Sequence, residues 1–222
     1  MRRGFLVIVG TLLTFVPTDV SYGQTETYVP VLLVPGWFDS GRDMAPLRLR
    51  LLAAGWPAGH VEARSFRDPT GSNRIHAQEI DSAAKALMAR TGARRLDIVA
   101  HSMGGLATRW ALNEPGAPPV RRVVFLATPQ RGTWAAYVAW GAGGDEMEPG
   151  SSFLDSLNAH PPVPPGVEAM TIRTPLDTHV LPEESATLPG VADHTVCCPT
   201  HEGLIGDMEA FRLIRRFLTE ER

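Results

Sequence analysis

Short apolar runs alternate along this chain with longer stretches whose apolar residues recur every three to four positions. Residues 29–34 are apolar almost throughout and predict a strand buried on both faces. Residues 44–54 follow with helical spacing and stop at Gly55. Residues 61–66 predict a second, alternating strand. Residues 73–90 predict a helix with an apolar face drawn from Ile75, Ile80, Ala83, Ala84, Leu87 and Met88, and Thr91-Gly92 ends it. Residues 96–100 predict a third strand that runs straight into a helix over 103–113. Prolines at 115–119 break that helix, and residues 120–126 predict a fourth strand.

Regularity weakens beyond Thr128, where Gly and Pro are frequent. Short helices are expected around 134–140 and 153–158, a fifth strand over 167–173 and a sixth over 194–198. A closing helix over 204–218 takes its apolar face from Ile205, Met208, Phe211, Leu213, Ile214 and Phe217. This order predicts one α/β domain over residues 24–222. Its sheet would be mostly parallel and six-stranded, with helices on both faces and ligands at the carboxyl ends of the strands.

Residues 1–23 read as a signal peptide. Arg2 and Arg3 precede an apolar stretch of about a dozen residues, too short to cross a bilayer core of about 30 Å, and Ser21 and Gly23 offer a small-residue cleavage site. The expectation is a secreted protein, extracellular or periplasmic. The twin arginine partly resembles a twin-arginine signal, but the usual polar residue before the arginines is missing. The charge is balanced (net −3), with no basic tract, so nothing points to nucleic acid. Cys197 and Cys198 are the only cysteines and are adjacent, so they cannot staple distant segments. A vicinal disulfide and two free thiols both remain open.

Chemistry enters at Ala100-His101-Ser102-Met103-Gly104, where a strand meets a helix. A sharp turn there lifts a Ser hydroxyl above the sheet, and the positions two before and two after the Ser must be small. Ser102 is therefore the candidate nucleophile; His101 is read as a packing or pocket-lining residue. In the nucleophile-elbow arrangement that this junction resembles, the acid and then the base follow in chain order. Asp177, just past the fifth strand, is the candidate acid, with Asp193 and Glu183 as rivals. His201, between the sixth strand and the last helix, is the candidate base, with His179 and His194 as rivals. Two backbone donors should face a tetrahedral oxyanion. Position assigns them to Met103 and to Trp37, with Gly36 allowing a close approach. His194, Cys197, Cys198 and His201 lack the spaced pair of a zinc site, so neither metal nor other cofactor is expected.

The segment Asp97-Ile98-Val99-Ala100-His101-Ser102-Met103-Gly104-Gly105 resembles the nucleophile segment of the lipase class 2 family, small secreted bacterial lipases and esterases. Thr128-Pro129-Gln130-Arg131-Gly132-Thr133 is similar to that family's loop after the next strand, and Pro149-Gly150-Ser151 with Phe153-Leu154 and Leu157-Asn158 resembles related lipases. The resemblance spans residues 29–218. It implies a minimal α/β-hydrolase sheet, carboxylic-ester hydrolysis without a cofactor, and a small-molecule or lipid ester as substrate, with transient contact to a lipid interface. One departure is Pro35, which precedes Gly36 where many relatives carry His-Gly before the oxyanion residue. Residues 134–165 would form a small lid or one wall of the site, and loop position suggests Trp37, Met103, Trp134 and Val180 as acyl neighbours. The same triad also serves acyltransferases, thioesterases and amidases, and a hydrolase fold can act as a non-catalytic binding protein.

Overall fold

Three of the six strands are short runs of residues buried on both faces or nearly so, and they set the frame. The computed structural model describes residues 28–220, together with Met1. The expected signal peptide, residues 1–23, lies outside them apart from Met1. The strands are β1 (Val31–Val34), β2 (Val61–Ala63), β3 (Leu96–His101), β4 (Val120–Leu126), β5 (Glu168–Arg173) and β6 (Ala192–Thr195). They form one sheet in the order β2-β1-β3-β4-β5-β6, and every pairing is parallel.

Alternation along the strands splits the core in two. Val31, Leu33, Val99, Val124, Leu126 and Ile172 pack on one side against α1 (Ala45–Ala53), α6 (Gly203–Gly206) and α7 (Met208–Thr219). Leu32, Val34, Ile98, Ala100, Val123 and Phe125 pack on the other against α2 (Asn73–Thr91) and α3 (Met103–Asn113). Each fully buried Leu or Ile contributes roughly 2 kcal/mol by leaving water. A third cluster joins Met103 and Leu106 to Phe153, Leu154 and Leu157 of α5 (Ser152–Asn158), so the irregular segment after β4 is seated over the start of α3.

The structure moves several expected boundaries. β1 begins two residues later than expected and β2 ends at Ala63. Residues 134–140 hold only a 3₁₀ turn, Trp134–Val138. A short helix that the sequence reading missed, α4 (Gly141–Glu146), follows it. Three of its six residues are glycine, so propensity argues against it. Tertiary contacts supply the stability. Gly143 N–H donates to the Thr70 carbonyl (2.9 Å), and Glu146 accepts from Ser72 Oγ and from the Asn73 backbone and side-chain nitrogens at the N-terminus of α2. That is where a helix favours a carboxylate.

β6 lies two residues before its expected start, and His194 is its third residue. The cause is composition. β6 is an edge strand whose Asp193 pairs outward with Arg173 (2.9 Å) and accepts from Thr171 (2.7 Å), so no apolar pattern marks it. Cys197 and Cys198 therefore fall in the following loop, and they are joined as a vicinal disulfide. The closing helix is interrupted at Asp207. Its backbone is extended (φ −69°, ψ 142°) and its carboxylate accepts from the Glu209 and Ala210 amides, capping α7.

Among the described residues Arg109 is the largest fully buried side chain, and it has no carboxylate partner there. Its guanidinium donates to Gln130 Oε1 (3.1 Å), Asn158 Oδ1 (3.0 Å) and the Pro162 carbonyl (3.2 Å). Burial pulls its pKa down to about 10, still charged at neutral pH. The loop after β4 and the end of α5 are thus tied to the back of α3. Arg109→Ala is expected to lower the unfolding free energy by about 3 kcal/mol, because it leaves a cavity and three unsatisfied acceptors. The readout is a reduced urea midpoint.

Candidate active site

Ser102 sits between β3 and α3 with φ 51° and ψ −131°. A non-glycine residue in that region carries strain of about 1–3 kcal/mol and persists only where its surroundings hold it. Here the Ser102 N–H donates to the Leu126 carbonyl (2.8 Å), and the Ser102 carbonyl accepts from Gly105 N–H (3.0 Å). The two glycines that follow allow the turn. A Cβ on Gly104 would stand 2.2 Å from the Pro35 oxygen and 2.8 Å from Val34 Cγ1. The nearest obstacles to a side chain at Gly104 are thus the end of β1 and its following loop, which is why this position must be small. A Cβ on Gly105 would stand 2.0 Å from Thr128 Oγ1.

Asp177 and His201 come together beside this elbow. His201 Nδ1 lies 2.8 Å from Asp177 Oδ2, and both residues are buried. The other carboxylate oxygen of Asp177 accepts from the His179 and Val180 amides, each at 2.8 Å. Thr174 Oγ1 donates to the Pro199 carbonyl (2.7 Å) and fastens the acid-bearing loop to the base-bearing loop. Burial alone would raise the Asp177 pKa. The His201 ring and the two backbone donors outweigh it and hold the carboxyl below its usual range. For His201 burial wins over the Asp177 partner, and its pKa lies below the ordinary imidazole value, so the ring is neutral at neutral pH.

Ser102 and His201 open into one cleft of about 500 Å³. Trp37, Phe38, Ala135, Ala136, Trp140 and Met147 make its apolar walls, and Asp39, Thr178, His179 and Glu202 a polar margin. Trp37 packs edge-on against Trp140 (4.5 Å between ring centres) and donates Nε1–H to the Trp140 carbonyl (3.1 Å). The loop after β1 is thereby joined to the 134–147 segment. Phe38, Trp134, Tyr137, Val138 and Trp140 are all more than half exposed near this cleft. Of the four expected acyl neighbours only Trp37 lines it. Met103 and Val180 are buried, and Trp134 faces solvent outside.

Phe38 N–H is engaged by the Pro69 carbonyl (3.0 Å). Among the described residues neither the Trp37 nor the Met103 backbone N–H has an acceptor, and Met103 opens α3, where amides lack intrahelical partners. The rival residues go elsewhere. Asp193 and Glu183 both pair with Arg173, and His194 lines a separate groove with Met170, Leu213 and Phe217. His179 is largely exposed beside Glu202. Donor atoms of Asp177, His179 and His201 lie within 4.8 Å of one another. Both Asp177 oxygens and His201 Nδ1 are already hydrogen-bonded, which suits an oriented acid–base pair better than a metal cage. The sequence reading takes His101 only as a packing or pocket-lining residue; the structure buries its ring between the His201 carbonyl (3.2 Å) and Asp39 Oδ2 (3.5 Å). A lone His in the otherwise apolar run before Ser102 was the available signal.

Residues 31–216 match the model of the alpha/beta hydrolase family. The chain belongs to that family. Among solved structures, it resembles lipase B of Aspergillus fumigatus with a TM-score of 0.77 and 21% identity, over 93% of this chain and 56% of that one. It thus spans little more than half the length of that lipase. The mature lipase BlEst2 of Bacillus licheniformis is similar with a TM-score of 0.73 and 18% identity, over 91% of this chain and 96% of that one. The phospholipase PlaB of Legionella pneumophila gives 0.74 and 16%, over 86% of this chain and 59% of that one. At these identities the likeness is one of fold, and the hydrolase's own residues must carry the chemistry.

Proposed function

We propose that this α/β hydrolase is a secreted lipase or esterase that cleaves carboxylic esters through an acyl-enzyme on Ser102. The observation that carries the reading is the strained Ser102 elbow sharing a cleft with His201, whose ring is oriented by Asp177 at 2.8 Å. His201 Nε2 takes the Ser102 proton as Oγ attacks the ester carbonyl. The Trp37 and Met103 amides receive the developing oxyanion. His201 returns the proton to the leaving alcohol, and water then repeats the sequence to release the acid. Asp177 fixes the tautomer and stabilises the imidazolium throughout.

The apolar cleft walls and the exposed aromatic rim favour an apolar acyl group and brief contact with a lipid interface. Secretion rests on the leader-like residues 1–23, and membership of the lipase class 2 family on the segments around Ser102 and Thr128. A panel of p-nitrophenyl esters of graded chain length, with Ser102→Ala as control, tests the reading. Turnover by the parent and loss in the variant support it, as does covalent labelling of Ser102 by a phosphonate. Equal turnover by both proteins would sink the assignment.

The pH profile supplies a second check. The base must be neutral to act, and the His201 pKa lies below 6.5. Lowering the pKa keeps the base neutral further into acid. The acid limb of kcat/KM is therefore expected to have its midpoint below the ordinary imidazole value. A midpoint above 6.5 would contradict the burial-dominated environment of His201.

A further inference from the structure

His101 ends β3, immediately before Ser102, and is wholly buried. Its ring nitrogens reach opposite walls of the site. Nε2 lies 3.2 Å from the His201 carbonyl oxygen, and Nδ1 lies 3.5 Å from Asp39 Oδ2. Asp39 belongs to the loop that also carries Gly36 and Trp37. Gly36 is where these groups converge. A Cβ there would stand 2.9 Å from both Asp39 Oδ2 and Ser102 Cβ, and 3.2 Å from His101 Nδ1.

Both neighbours of the ring are acceptors. A neutral imidazole can donate to only one and must turn a lone pair towards the other. With Nε2–H on the His201 carbonyl, a neutral ring would aim its Nδ1 lone pair at a carboxylate; among the described residues the buried Nδ1 makes no hydrogen bond, and Asp39 Oδ2 stands 3.5 Å from it. A doubly protonated ring donates at both ends, the second bond being charge-assisted once it closes. The geometry points to a positioning pair: Asp39 holds His101 as an imidazolium that joins the base loop to the oxyanion loop and sets a fixed positive charge beside His201. Among the described residues His201 also faces His101, 4.6 Å away between ring centres, and the Asp43 carboxyl lies close enough to couple to the ring electrostatically. The consequence for the reaction rests on the proposed Ser102–His201 chemistry; the charge state of His101 does not.

The test has two arms. Imidazole ¹⁵N shifts at pH 7, recorded on Ser102→Ala protein and assigned with His101→Gln, are expected to show both His101 nitrogens protonated. Asp39→Asn should return Nδ1 to the lone-pair range. In the active enzyme Asp39→Asn is expected to lower kcat on a p-nitrophenyl ester on the order of 10-fold, with KM little changed, because the two loops lose their common tether. It should also move the acid limb of kcat/KM upward, because a positive charge opposing His201 protonation has gone. A structural role alone would leave that limb in place. A neutral His101 at pH 7 in the parent overturns the proposal, and so does an unmoved limb in Asp39→Asn. If no ester is turned over, the hydrolase reading fails on its own account and the ¹⁵N shifts still decide the state of His101.

Discussion

Ser102→Ala, His201→Ala and the double variant are expected to lose the same roughly 10⁶-fold in kcat on an activated ester, because the proposed nucleophile and base act as one unit. Without the hydroxyl nothing needs deprotonating, and without the imidazole the hydroxyl stays a poor nucleophile. A residual rate above that of water should persist in all three, since the Trp37 and Met103 amides remain free to receive an oxyanion. Losses that multiply in the double variant would show that Ser102 and His201 act separately.

Asp177→Asn extends the same argument with a geometric twist. Oδ1 of Asp177 accepts from two backbone amides, so an asparagine must keep its carbonyl oxygen on that side. Its NH₂ then faces His201 Nδ1 and forces that nitrogen to accept. The proton moves to Nε2, which can no longer take one from Ser102. A loss of about 10⁴-fold in kcat with an unchanged fold is the expected result.

Much of this arrangement was legible because buried parallel strands read as continuous apolar runs. Val31–Val34, Leu96–His101 and Val120–Leu126 announced themselves in that way, and so did the strand-to-helix junction at Ser102. Asp177 and His201 followed from chain order once the fifth strand and the last helix were placed. What stayed hidden depends on contacts across the fold. β6 is an edge strand held by Asp193 and Arg173, so its register with β5 left no hydrophobic mark. α4 is glycine-rich and exists because Glu146 sits on the N-terminus of α2 and Gly143 on Thr70. The cleft walls were misread at Met103, which α3 buries, and at Trp134 and Val180, because the direction of a loop side chain has no periodicity to follow. The Gln130 and Asn158 segments gained their reason only when both were found on Arg109.

Gly104→Ala is expected to be strongly destabilising, and its contrast with Gly105→Ala locates the cause. At Gly104 the added carbon meets the Pro35 carbonyl oxygen at 2.2 Å, an atom of the backbone. Relief requires α3 or the loop after β1 to move, and that loop carries the Trp37 amide. At Gly105 the three nearest atoms all belong to the Thr128 side chain, the closest at 2.0 Å. Among the described residues Thr128 Oγ1 is buried without a hydrogen-bond partner, so removing it sacrifices no hydrogen bond to them. Each alanine is expected to lower the unfolding free energy by about 3 kcal/mol or more. Thr128→Ala should recover part of the loss in Gly105→Ala, the Thr128 Cβ at 2.8 Å still crowding, and recover nothing in Gly104→Ala. Urea midpoints of the two single and two double variants provide the comparison. Whatever Gly104→Ala protein folds should also turn over more slowly than its folded fraction accounts for, because the displaced Pro35 takes the Trp37 N–H with it. Equal rescue of both glycine variants by Thr128→Ala would mean that the elbow is limited by side-chain crowding and not by the approach of β1.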